Sequence, residues 1–273
     1  MRRGVRLRGW RKVATATWSA PRDPQIYGTL EVDASALLAY AHRIRERRGE
    51  RVTITALVGK AVAHAFAEHP ELNVVIRRGR AVPRGGVDVF FQAAADGGRD
   101  LTGVIVRDAD RKPVTAIAAE IGDAAARIRD GQRVGLGRAS PLLDRLPTPL
   151  LRVGLRAVGW LVGVAGVDLS ALGIPAHPFG SAMVSSVAAF DIEHAYGPLG
   201  SYYRVPVLVL VGKIVQRPVA VAGDVVVRPI LPLGVTLDHR YLDGAHAGRL
   251  AASVKAYCAD PGRYEADEGS SSR

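Results

Sequence analysis

Apolar positions along this chain alternate between two periods, and the switches between them mark the elements. Residues 28–32 (Gly28, Thr29, Leu30, Glu31, Val32) read as a strand, after an earlier strand expected at Thr15–Trp18. Asp33 then stands where an N-cap belongs, and Leu37, Leu38, Ala41 and Ile44 recur at helical spacing. A second helix is predicted over residues 54–68, with Leu57, Val58, Ala61, Val62, Ala65 and Phe66 on one face. His69-Pro70 closes it, because a proline pushes the residue before it out of the helical region. Strand-like runs follow at 87–95 and 103–106, then a helix over 113–129 with Ile117, Ile121, Ala125 and Ile128 in register. The last third is β-rich, with strands expected at 182–189, 205–215, 219–227 and 230–237 and a closing helix over 245–258. Strands mixed with helices, without strict βαβ alternation, predict an α+β sandwich.

Two stretches fall outside that rhythm. Residues 135–178 are rich in glycine and proline around an apolar run, 150–167, which Arg152 and Arg156 interrupt. The run is too short to span a bilayer. It suits a helix packed on its own domain or oligomer, or less readily one lying on a membrane surface. Residues 259–273, ending Ser270-Ser271-Ser272-Arg273, lack periodicity and read as a loose tail. The organisation expected is one domain over 1–258, with 135–178 as an insertion.

Composition narrows the setting. Over 273 residues, 48% are hydrophobic and only 6% aromatic, enough for one aliphatic core. A single cysteine, Cys258, excludes an internal disulfide and any cysteine-based metal site, which fits a reducing cytoplasm. No apolar stretch of signal-peptide length follows the basic start Met1-Arg2-Arg3. The net charge of +11 is carried mostly by arginine. Such a surface suits nucleic acid, anionic lipid or a phosphorylated substrate, or simply a solvated arginine-rich exterior. The arginines lie singly or in pairs, not grouped with aromatics, which speaks against nucleic acid.

The segment richest in chemistry is Val235-Thr236-Leu237-Asp238-His239-Arg240-Tyr241-Leu242-Asp243-Gly244-Ala245. An apolar strand delivers a histidine, and an Asp-Gly pair four residues later opens a helix. A histidine on a rigid strand end can face a cleft, and its near-neutral pKa lets it take a proton from a thiol or hydroxyl. On these grounds alone, a structural histidine beside an Asp-Gly turn remains the commoner alternative.

This segment resembles the signature of the dihydrolipoamide acyltransferases, the catalytic cores of 2-oxoacid dehydrogenase complexes, and its form His-x-x-x-Asp-Gly also marks chloramphenicol acetyltransferases. Three further stretches agree in order. They are Thr53–Val62 through His69-Pro70-Glu71-Leu72-Asn73, Leu101–Asp110, and Gly212-Lys213-Ile214 with Arg217-Pro218-Val219. The resemblance covers roughly 15–130 and 180–258. It implies a chloramphenicol acetyltransferase-like two-layer sandwich, with a mixed sheet and packed helices. It also implies acyl transfer from a thioester such as acyl-coenzyme A, with His239 as general base. A serine that binds the oxyanion is part of the same pattern, and in Ser181-Ala182-Met183-Val184-Ser185-Ser186 the choice is Ser185, with Ser186 second. Asp243 is expected to hold the histidine loop by charge pairing. Coenzyme A is the expected substrate, with no bound lipoyl group and no metal, and the resemblance implies a homotrimer whose catalytic centre lies between subunits.

Departures from the pattern concern the substrates. The insertion at 135–178 and the stretch Val187-Ala188-Ala189-Phe190-Asp191 lie where acceptor and acyl chain would approach, and His177 and His194 lie near them. The reshaped insertion favours a tailoring acyltransferase acting on an alcohol or amine over lipoamide chemistry, and with no lipoyl-bearing or subunit-binding segment ahead of the core, membership of an ordinary dehydrogenase complex is not expected. The rival from another class is a catalytically silent trimeric scaffold that binds a partner.

Overall fold

The computed structural model describes residues 23–95, 100–130, 132, 147–167, 179–200 and 204–265. The strand expected at Thr15–Trp18, His177 and residues 266–273 lie outside these.

Among the described residues, seven strands form one mixed sheet: β1 (Gln25–Asp33), β4 (Val89–Ala95), β5 (Asp100–Val106), β6 (Ala182–Ser186), β7 (Val207–Val211), β8 (Val215–Val221) and β9 (Asp224–Asp238). The order is β1-β9-β7-β6-β4-β5, with β8 on β9. β6 runs parallel to both neighbours, and the other pairs are antiparallel. A separate hairpin, β2 (Val74–Arg77) with β3 (Arg80–Pro83), stands beside it. The α+β reading holds.

One face of the sheet carries the helices α1 (Ser35–Arg48), α2 (Ile54–Glu68), α3 (Val114–Arg129) and α5 (Gly244–Ala259). α2 is apolar nearly all round and is the buried centre of this layer, with ten residues from Ala56 to Phe66 out of solvent. The Thr53 side chain caps it, accepting from the Ala56 amide at 3.2 Å. It lies so close to β4 that a Cβ at Gly59 would overlap the Phe91 ring at 2.2 Å. The other face has a smaller cluster of Phe90, Phe179, Met183, Val205, Leu208 and Leu210. Opposite-facing neighbours on β6, Val184 in the large core and Met183 in the small one, show the sheet lying between two apolar layers.

Three expectations change. The strand expected at 219–227 is instead cut by a turn, and the one expected at 230–237 is the far part of the second arm of that hairpin. Ala222 and Gly223, at φ 52° and 97°, turn β8 directly into the 15-residue β9. Both signs suit a type I′ turn, but Ala-Gly lacks the Asn-Gly signal that would announce one. Asp33 closes β1 and does not cap α1 formally, though its Oδ1 still accepts from the Ser35 amide at 2.8 Å. The tail expected to be loose begins as packed structure. After α6 (Pro261–Tyr264), buried Glu265 accepts from the Tyr257 hydroxyl at 2.7 Å and from the Val114 amide at 2.8 Å. Those bonds tie the chain end to the N-terminus of α3, where a carboxylate meets orphan amides.

From the insertion, α4 (Thr148–Trp160) continues into a π-helical turn, Leu161–Ala165. α4 buries none of its residues; Leu150, Val153 and Trp160 are more than half exposed, and Val162 beyond it is buried. The helix is therefore anchored at its end and not packed along its length on the described part of the domain.

Candidate active site

His239 directly follows β9, and its loop is set by bonds at every residue. The His239 amide donates to the Pro24 carbonyl at 2.8 Å; Tyr241 and Leu242 amides return to the Asp238 carbonyl at 2.9 and 3.2 Å. Leu242 is driven into the core, 1% exposed, and the Tyr241 hydroxyl accepts from the Ile76 amide at 3.3 Å. Buried Asp238 binds Arg240 through both carboxylate oxygens and accepts its amide at 3.0 Å. These hydrogen bonds hold the Arg240 guanidinium even more firmly charged.

The imidazole of His239 meets one acceptor, the Leu242 carbonyl, 2.9 Å from Nδ1. A carbonyl can only accept, so Nδ1 carries a proton, and in the neutral ring the lone pair is on Nε2. His239 itself is exposed in the single subunit. Asp243 does not touch that ring. It caps α5, its Oδ1 accepting from the His246 amide at 3.0 Å, and its carboxylate lies 2.8 Å from His246 Nδ1. The His246 amide is the main cause that lowers the Asp243 pKa. Asp243 thus fixes where α5 starts, and through it the end of the histidine loop.

Ser185 and Ser186 face opposite sides of β6. The Ser186 hydroxyl is engaged locally, donating to the Val211 carbonyl and accepting from the Ala188 amide, both at 3.4 Å. The Ser185 hydroxyl makes no hydrogen bond among the described residues and lies on the Met183 side. Ser185 pairs with Leu210, and Leu210 with Gly234. His239 is five residues beyond Gly234, so Ser185 and His239 are offset by about 17 Å along the strands at ~3.4 Å per residue, and by two strand spacings, about 10 Å, across them. One subunit does not bring them together.

Residues that the sequence reading did not single out as a site converge on a cleft that Arg240, the residue after His239, helps to line. A cleft of about 650 Å³ is lined by Arg152, Arg156 and Trp160 of α4 with Arg204 and Arg240. Arg84, partly buried and pushed down to about 10 by desolvation, donates to the Arg204 carbonyl at 2.7 Å and helps hold this backbone at φ 50°. The arginine pairs separated in sequence gave no sign that they would converge. His194 lies apart from His239, 3.1 Å from Arg217, and His64 pairs with Glu68. Among the described residues no group of His, Cys, Asp and Glu could hold a metal, and no helix is long and apolar enough to cross a membrane.

Comparison with known proteins places this geometry. The sequence model of the 2-oxoacid dehydrogenases acyltransferase (catalytic domain) matches residues 2–134 and 180–265, leaving out the segment read above as an insertion. The lipoamide acyltransferase component of the branched-chain alpha-keto acid dehydrogenase complex of Bacillus subtilis is 24% identical over 237 residues, 85% of this chain and 46% of that protein. The chain thus spans about half the length of the curated relatives it matches. A solved probable dihydrolipoamide acetyltransferase from Listeria monocytogenes has the same fold, with a TM-score of 0.65, 23% identity, and coverage of 98% of this chain and 97% of that one. The Azotobacter vinelandii dihydrolipoamide acetyltransferase, studied for the role of a serine, a histidine and an asparagine in its catalytic mechanism, matches with a TM-score of 0.64 at 20% identity over 89% and 84%. The chain belongs to the family of 2-oxoacid dehydrogenase acyltransferases, as a catalytic domain of that family.

Proposed function

We propose that this domain transfers an acyl group from a thioester, acyl-coenzyme A, to a thiol, hydroxyl or amine acceptor, with His239 as general base. The observation that carries this reading is the bond from His239 Nδ1 to the Leu242 carbonyl, which in the neutral ring puts the lone pair on Nε2 of an exposed side chain. Nε2 takes the proton from the acceptor as it attacks the thioester carbonyl. The tetrahedral intermediate then expels the coenzyme A thiolate, and the same proton passes from Nε2 to that sulfur. No acyl-enzyme is needed.

We read Ser185, His239 and Asp243 as the counterparts of the serine, histidine and asparagine named for the Azotobacter enzyme. Ser185 donates its free hydroxyl to the oxyanion, and Asp243 positions the loop without contacting the imidazole. Because Ser185 and His239 are offset in one subunit by about 17 Å along the strands and about 10 Å across them, the site is assembled between subunits of a homotrimer. The four arginines of the cleft, among them Arg240 next to His239 in the chain, supply positive charge for the nucleotide phosphates of coenzyme A, and Trp160 a face for its base.

The test is thiol release from a panel of acyl-coenzyme A donors and acceptors, dihydrolipoamide included. Acceptor-dependent release that falls about 10²–10⁴-fold in His239→Ala supports the reading. No release with any pair, from a folded trimer, supports the silent scaffold instead.

A further inference from the structure

An apolar cavity of about 270 Å³ lies between the sheet and the helices, beneath β1 and α5. Its floor is the helix-facing side of β1, β9 and β7, from Leu237 at one end to Leu233 at the other. Its roof includes the small residues Ala247, Gly248 and Ala251 of α5. Glycines open its side: Gly28 and Gly248 are exposed, and a Cβ at either would meet no atom within 4 Å. Among the described residues, the only polar side chain in the lining is Thr29, whose hydroxyl is already bonded to Tyr196.

Such a lining selects its occupant. A peptide or sugar would leave N–H, C=O or hydroxyl groups with no partner there, at a cost that apolar burial does not recover. A hydrocarbon chain loses nothing and restores the dispersion contacts that an empty void forfeits. The placement is equally specific. Leu237 comes two residues before His239, and α5, the roof, begins at Gly244 where the histidine loop ends. From Leu237 to Leu233 the floor runs about 13 Å, the length of an extended chain of about ten carbons.

We propose that this cavity takes the hydrocarbon tail of the acyl group, about eight to ten carbons long, entering between Gly28 and Gly248. The cavity as a hydrocarbon site stands on its own; that the chain belongs to the acyl donor rests on the transfer reading above.

The experiment measures binding without chemistry. Displacement of the neutral fluorophore N-phenyl-1-naphthylamine by straight-chain alcohols, 1-butanol to 1-dodecanol, is titrated on the full chain. Affinity rises about three- to fourfold per methylene, then levels off near ten carbons. Gly248→Leu, which fills the opening, weakens 1-decanol at least about tenfold for the loss of two or more methylene contacts. Gly122→Leu, on exposed α3 away from the cavity with equal room for a side chain, keeps wild-type binding, and thermal melts establish that both variants are folded. Chain-length-dependent binding abolished by Gly248→Leu upholds the pocket even if no thioester turns over. Binding without chain-length dependence, or unchanged in Gly248→Leu, overturns it even if acetyl transfer proceeds.

Discussion

Ser185 and His239 lie at opposite ends of the strand ladder that joins them, Ser185 level with Gly234 and His239 five residues past it. A site using both must take them from different subunits. Mixing Ser185→Ala with His239→Ala chains, each inactive alone, then restores activity, because some interfaces combine an intact serine with an intact histidine. Random trimers at equal ratio contain about a quarter of such interfaces. Activity that stays at the level of the separate variants would show that the site lies within one chain.

Ser185→Ala should lower kcat about 10²–10³-fold with little change in KM, since an oxyanion donor acts on the transition state. Ser186→Ala should leave turnover intact and cost about 1 kcal/mol or less, the worth of its two long local bonds. Steady-state kinetics and urea melts of the pair distinguish the roles, and the reverse pattern would move the donor to Ser186.

Replacing Arg152 and Arg156 together by serine should raise KM for acyl-coenzyme A and flatten its dependence on salt, with kcat nearly unchanged. Both residues lie on α4, which makes few contacts with the rest of the domain, so the fold should survive their loss. A KM that does not respond would remove the nucleotide from this cleft.

The Asp243 carboxyl is held below its usual pKa chiefly by the His246 amide. A group depressed in the folded state contributes stability that is complete above its unfolded value of ~3.9 and is lost as pH falls toward the lower folded value. Asp243→Asn keeps the cap but does not titrate, so its melting temperature should fall less steeply than wild type below about pH 4. Parallel curves across that window would show that the carboxylate does not contribute there.

Glu265 joins the chain end to α3 and to Tyr257, whose own pKa is raised by burial and by that carboxylate. Removing the side chain with Glu265→Ala leaves a buried hydroxyl and a helix-end amide without acceptors. The expected cost is about 2 kcal/mol, or about 4–8 °C in Tm. Calorimetry that finds no change would return this segment to the loose tail that its sequence suggests.

What the residues declare locally, the chain obeys. Helical spacing marked α2 at its observed bounds, Ile54–Glu68, because an apolar helix with a threonine cap and a terminal His-Pro needs no distant partner to be recognised. The run from Val235 to Gly244 likewise carried the strand, the histidine and the helix start in one short segment. The Ala222-Gly223 hairpin escaped because its turn conformation is imposed by the pairing of β8 with β9 and not by residue preference. The same holds for Glu265, 151 residues from the amide it caps, and for Arg152, Arg156, Arg204 and Arg240 around one cleft. The proton on Nδ1 of His239 was beyond any pattern of residues, because it is set by a backbone carbonyl, which every residue possesses and only the folded loop can aim. The distance from Ser185 to His239 belongs to the register of three strands, so the sequence by itself determined which groups are present, while the tertiary structure decided that one subunit keeps them apart.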